Sequence, residues 1–292
     1  MNVSIGINPI TWSNDDMQNV GADISFQTCL SGAAEAGYAG VELGHKFPRD
    51  PKLLRPELEK HSLSLVSGWY SGTLLQQDSA DEIAAMQSHV DLLKAMGSDV
   101  LIFAEVSGCI HSQIDTRLSQ RPRMPADQWP TFCRRLDEVA KACAAQGLKL
   151  CFHHHMGTVV QSREDIDRMM QSTSTDMHLL LDSGHAYFAG ADPVELANQY
   201  ADRIAHVHCK DIRKSVLKRL QNRDSSFLDA VLAGVFTVPG DGCIDYDGIF
   251  DALRKQDYSG WVVVEAEQDP SVAPPKHFAE LGYANLKRLT AD

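Results

Sequence analysis

One recurring unit limits what this chain can fold into: a short, largely apolar run without proline that stops at ionisable residues. Met177-His178-Leu179-Leu180-Leu181 stops at Asp182-Ser183-Gly184-His185, and Ile204-Ala205-His206-Val207 stops at His208. Trp261-Val262-Val263-Val264 runs into Glu265 and Glu267, and Leu148-Lys149-Leu150-Cys151-Phe152 ends in His153-His154-His155. Such runs read as buried parallel strands that deliver polar side chains from their C-terminal tips. A single Asp after a strand is ordinarily a helix cap or a turn residue. Independent caps, however, give no reason for four tips to carry His, Asp, His and Glu. Those are the donors that a divalent ion of the manganese, cobalt or zinc kind accepts.

Along the chain the same unit alternates with helical patterns. Apolar runs near 3–7, 40–45, 63–70 and 100–104 precede those four, and helices are expected at about 25–36, 51–61, 79–96, 129–146 and 276–289. Gly37, Gly97 and Gly147 stop three of these helices. Eight strands alternating with helices predict an α/β fold, a (β/α)8 TIM barrel, with a doubly wound open sheet as the weaker alternative. Residues 1–292 are expected to form one barrel domain, with a lid insertion at about 214–236 after the seventh strand. In parallel strands all C-terminal tips share one face, so residues far apart in sequence gather there.

Composition narrows the function classes. A net charge of −12 disfavours a nucleic-acid partner and suits a small neutral substrate. No apolar stretch nears the ~18 residues of a membrane span, and Met1 to Gly6 lacks the features of a secretory signal, so a cytoplasmic location is expected. The seven cysteines include no Cys-x-x-Cys pair, which argues for reduced thiols. No phosphate-binding glycine motif is present.

The motifs at these tips resemble the xylose isomerase-like barrel superfamily and, within it, the inosose dehydratases. They are His153-His154-His155-Met156-Gly157-Thr158, Leu181-Asp182-Ser183-Gly184-His185, His206-Val207-His208-Cys209-Lys210-Asp211-Ile212-Arg213, the 234–242 segment and Val264-Glu265-Ala266-Glu267-Gln268-Asp269-Pro270. The resemblance implies a divalent ion, manganese or cobalt, whose usual ligand set Asp182, His208 and Glu265 match, and a use of glutathione; His153, at the tip of the fifth strand, is the expected fourth ligand. It implies dehydration of 2-keto-myo-inositol; a homo-oligomer is left open, because the sequence does not fix the oligomeric state. Where isomerases and epimerases of the superfamily place a first Glu, this chain has His153, which weakens an epimerase reading.

Dehydration needs a base for the proton α to the ketone and an acid for the departing hydroxyl. His155, His185, Lys210 and Glu267 are the catalytic candidates beside the ligands, in no order that the sequence fixes. Glu42, His45, Trp69, Glu105 and Arg213 are candidates for holding the polyol-ketone's hydroxyls. A ketose or inosose isomerase is the rival reading, and a barrel that binds without turnover is the non-enzymatic one.

Overall fold

The computed structural model describes residues 1–291. Its main sheet is wholly parallel and joins nine hydrogen-bonded segments. Eight strands result: β1 (Asn2–Ile7), β2 (Gly40–Val41), β3 (Ser64–Leu65 and Trp69–Gly72), β4 (Val100–Glu105), β5 (Lys149–His153), β6 (Met177–Asp182), β7 (Ile204–Cys209) and β8 (Ser259–Val264). Strand β3 comes in two stretches because it changes partner midway. Val66 N donates to Val41 O and Leu43 N to Ser67 O, whereas Ile102 N donates to Gly68 O. That switch, with β1 paired to β8 along its length, closes the ring.

Among the described residues eleven α-helices accompany it: α1 (Phe26–Ala36), α2 (Pro51–Lys60), α3 (Ser79–Met96), α4 (Trp129–Ala144), α5 (Arg163–Gln171), α6 (Ser183–Phe188), α7 (Pro193–Tyr200), α8 (Lys214–Gln221), α9 (Phe227–Leu232), α10 (Tyr246–Lys255) and α11 (Pro275–Thr290). Strand alternation splits the apolar residues into two cores. Val100, Ile102, Cys151 and Leu180 fill the barrel, while Leu101, Phe103, Phe152, Leu179 and Leu181 face the helices. The same alternation decides which tip residues point inward.

Two segments rise over the mouth. The 106–128 loop follows β4, and the 210–245 segment follows β7. The second carries α8, α9 and a small antiparallel ribbon of Asp211–Ile212 with Phe236–Thr237. They meet through an antiparallel bridge between Arg117 and Ser226, and Ser119 bonds to Asp224 with Oγ at 2.6 Å and backbone N at 3.1 Å. Helix α9 is more than a loose cover, because Phe227, Leu228, Ala230 and Val231 are all buried. Among the described residues no helix is long and apolar enough to cross a membrane, and all seven cysteines are free.

Candidate active site

His153, Asp182, His208 and Glu265, at or just past the tips of β5 to β8, are all buried and bring one donor atom each within 4.8 Å of one another. Their hydrogen bonds fix which atoms are free. His153 Nδ1 donates to its neighbour's carbonyl, His154 O, at 2.9 Å, so its Nε2 keeps the lone pair and faces Asp182 Oδ2 at 3.5 Å. His208 Nε2 lies 3.0 Å from Glu42 Oε1, which places the proton there and leaves Nδ1 against Glu265 Oε2 and 3.6 Å from Asp182 Oδ2. Asp182 divides its oxygens. Oδ1 accepts from His185 N at 2.7 Å and caps α6, whereas Oδ2 accepts nothing.

Asp182 Oδ2, His208 Nδ1 and Glu265 Oε2 are thus buried and without a hydrogen-bond partner. Lone pairs and carboxylate oxygens crowded together away from water are costly unless a cation lies among them. Burial, the largest influence, opposes ionisation of Asp182, yet Lys210 and the neighbouring His185, His153 and His208 together outweigh it and hold the carboxyl well below the usual range. Two imidazoles and two carboxylates with free donor atoms fit a divalent transition ion.

Glu42 braces this set from below. Its Oε1 accepts from Ser67 Oγ (2.6 Å), His206 Nε2 (2.8 Å) and His208 Nε2, and its Oε2 from Asn8 Nδ2 (2.7 Å). Expected from the sequence to hold substrate, Glu42 does line the cavity described below, and its oxygens also orient His208 of the candidate donor set, which is how an outer partner can tune a metal site.

A second cluster adjoins the first. Lys210 Nζ, fully buried, lies 3.0 Å from Glu265 Oε1, 3.5 Å from Glu267 Oε2 and 2.8 Å from His185 Nε2. Gly184 makes room for it, since a Cβ there would stand 2.6 Å from Lys210 Cγ. His155, His185 and Glu267 also group closely enough to hold an ion. His185 argues against one there: its Nδ1 accepts from Met156 N at 3.1 Å and its Nε2 faces the Lys210 ammonium at 2.8 Å, so neither ring nitrogen is open to an ion. Burial keeps His155 and His185 neutral, well below the ordinary imidazole value. Burial also pushes Glu267 up to about 7.

The cavity above the donor group has a volume of about 260 Å³ and is walled by Trp69, Ile102, His111, Asp15, Asp16, Glu42, His155 and Glu267 with His153, His208 and Glu265. A larger surface hollow, about 760 Å³, lies between α7, α8 and residues 243–245 and shares no residue with it. Of the four catalytic candidates, Glu267 and His155 line the cavity, and His185 and Lys210 stand behind its wall.

Three expected substrate contacts are redirected. Glu105 points out of the barrel, because it falls in step with Leu101 and Phe103, and its Oε1 accepts from Ser107 N at 2.9 Å. Arg213 is consumed by the ribbon, with bonds to Asp241, Thr237 and the carbonyls of Gly234 and Phe236. His45 sits at the rim, paired with Asp15. Trp69 does line the cavity, edge-on to His153 and His155 at 5.3 and 5.7 Å. Sequence reasoning missed Asn14, Asp15, Asp16 and His111. They lie on loops without strand periodicity, and the one available signal is polar residues following β1 and β4 on the C-terminal face.

The chain belongs to the xylose isomerase-like TIM barrel family, whose model matches residues 30–288. Its nearer likenesses narrow this further. It is 46% identical over 291 residues to the Rhizopine catabolism protein MocC of Rhizobium meliloti, covering 100% of this chain and 90% of that protein. It is 42% identical over 279 residues to the inosose dehydratase of Geobacillus thermodenitrificans (strain NG80-2), covering 95% and 94% respectively. Among solved structures, the IOLI protein with a binding zinc atom superposes with a TM-score of 0.67 at 17% identity, covering 99% of this chain and 96% of that one. At that identity the likeness speaks for the fold.

Proposed function

We propose that this protein is a metal-dependent lyase that dehydrates 2-keto-myo-inositol to a trihydroxycyclohexane-1,2-dione in myo-inositol catabolism. The observation that carries the reading is a metal-fitting donor set, His153, Asp182, His208 and Glu265, opening into a small cavity with Glu267 on its wall. The inosose dehydratase relatives supply the substrate class. A cavity of about 260 Å³ lies below the ~300–1,000 Å³ of drug-sized pockets and suits one small polyol ring. The acidic chain suits a neutral ligand and disfavours nucleic acid.

When bound, a divalent ion, manganese or cobalt in this reading, supplies Lewis-acid stabilisation of charge developing on the ketone oxygen. Glu267 is the base for the α proton. A carboxyl raised to about 7 is half ionised near neutrality, the range in which a general base works best. Its Oε1 is held by Asn14 Nδ2 at 3.0 Å, so the carboxyl keeps one orientation. Lys210 balances Glu265 and Glu267, His155 presents a neutral ring, and the 214–236 segment keeps bulk water from the cavity. No step in this reading uses glutathione.

A ketose or inosose isomerase is the competing reaction, and His153 disfavours it by replacing the first carboxylate of that chemistry. Mass spectrometry of 2-keto-myo-inositol after incubation with metal-loaded protein separates the two. A product lighter by one water supports the lyase, and a product of unchanged mass supports the isomerase.

A further inference from the structure

The dehydration proposed above needs an acid as well as a base, and the cavity offers a pair outside the cluster of Lys210, His185 and Glu267. His111, on the 106–128 loop, faces Asp16, on the loop after β1, with Nε2 3.6 Å from Oδ1. These loops leave strands three places apart in the ring, so the contact spans the mouth. Both residues line the cavity that the ligand histidines line.

The surroundings hold this pair in place. Asn14 Oδ1 accepts from the backbone of Asp16 (2.8 Å) and Met17 (2.7 Å), while its Nδ2 reaches Glu267. One side chain therefore orients both Asp16 and the proposed base. On the other side Ile110 N donates to Gly157 O at 2.9 Å, and a Cβ on Gly157 would come within 2.9 Å of His111 N. Gly157, at φ +79°, lets the loop press close enough for the His111 ring to meet His155 edge-on at 4.9 Å.

We propose that His111, with Asp16 as its partner, is the acid that protonates the departing hydroxyl. Glu267 takes the α proton, and the C–H electron pair becomes the double bond of the enolate. That pair then expels the β-hydroxyl: its C–O bond breaks as His111 hands over the proton that it shares with Asp16, and water leaves. The proton on Glu267 passes to solvent and His111 regains one from solvent, so both groups are restored and no oxidant or reductant is needed. Burial pushes Asp16 up and His111 down, so the pair favours holding one shared proton over separated charges. That is a state from which a proton can be delivered.

The inference rests on the lyase reading, and deuterium separates the two. Metal-loaded wild type, His111→Gln and Asp16→Asn are incubated with 2-keto-myo-inositol in heavy water, with metal content and melting temperature measured on each. His111→Gln is expected to lose about 100-fold or more in dehydration, with wild-type metal content and melting, while deuterium still enters the recovered ketone because Glu267 still removes the α proton. Asp16→Asn, a near-isosteric change on another loop, is expected to lose about 10-fold in the same pattern. Dehydration within about twofold of wild type in both variants, or exchange and dehydration lost in equal proportion, would overturn the assignment. Wild type that never dehydrates the ketone defeats the lyase reading itself, and the acid role with it.

Discussion

His208 reaches Glu42 through Nε2 at 3.0 Å, and this one contact turns its Nδ1 toward Asp182 and Glu265. A histidine with its proton pinned at one nitrogen offers the other as a ligand in a fixed direction. Glu42→Gln weakens that acceptor without emptying the space. The expected result is a loss of about 10–100-fold in divalent-ion affinity, read by calorimetric titration of chelator-treated protein. Unaltered affinity would mean that Glu42 does not orient the ligand.

Asp182 caps α6 with one oxygen and leaves the other bare, so the two jobs can be separated. Asp182→Asn keeps a capping acceptor and removes the anionic donor, whereas Asp182→Ala loses both and about 1 kcal/mol of capping. Asp182→Asn is expected to fold and melt near wild type yet carry little metal. Full metal content by elemental analysis in that variant would remove Asp182 from the ligand set.

Glu105 yields a pH prediction that is independent of catalysis. Burial raises its carboxyl from 4.5 to about 7 in the folded protein, and only about 1% of the residue is exposed. Between those values the folded chain keeps a proton that the unfolded chain has released, so stability falls as pH rises from about 4.5 to about 7 and stays lower above. The cost is at most on the order of 3 kcal/mol. Glu105→Gln keeps the acceptor for Ser107 N and should gain almost nothing at pH 4.5 while gaining stability at pH 8. Denaturant melts at both pH values check this, and an equal effect at the two would contradict it.

Ser119 and Asp224 fasten the 106–128 loop to the 210–245 segment over the mouth. Ser119 is exposed and Asp224 partly so, so Ser119→Ala should cost global stability no more than about 1 kcal/mol. Backbone amides of α8 and of residues 222–226 are expected to exchange with solvent faster, and turnover to fall as water enters. Unchanged exchange there would show that the latch does not hold the segment. Deleting 214–234 outright is a poorer test, because it also removes Phe227, whose ring lies 5.1 Å from His155 and 5.6 Å from His185.

Much of this was legible in sequence because parallel strands share one direction. A run such as Leu179 to Asp182 announces both its burial and the face on which it ends, which brought His153, Asp182, His208 and Glu265 together on paper. Helices closed by Gly37 and Gly97 were bounded to within a residue. Strand parity was the weak point. Glu105 sits one step out of phase with Ile102 and so faces the helices, a difference that a tip residue does not reveal by type. Arg213 was lost to Asp241, 28 residues on, through a ribbon too short to leave a periodic signal. Helix α6 was missed because Asp182 ends a strand and caps a helix at once. Asp16 and His111 were missed because loops meeting across a mouth have no pattern to read.

The most direct test of the central claim is to strip the protein with chelator and titrate back manganese, cobalt or zinc while following 2-keto-myo-inositol by mass spectrometry. Stripped wild type should be inactive, and about one equivalent of ion should restore formation of a product lighter by one water, as expected of a single four-donor site. Asp182→Asn should stay inactive at the same ion concentrations. Dehydration by fully stripped protein, or equal restoration in Asp182→Asn, would contradict the account.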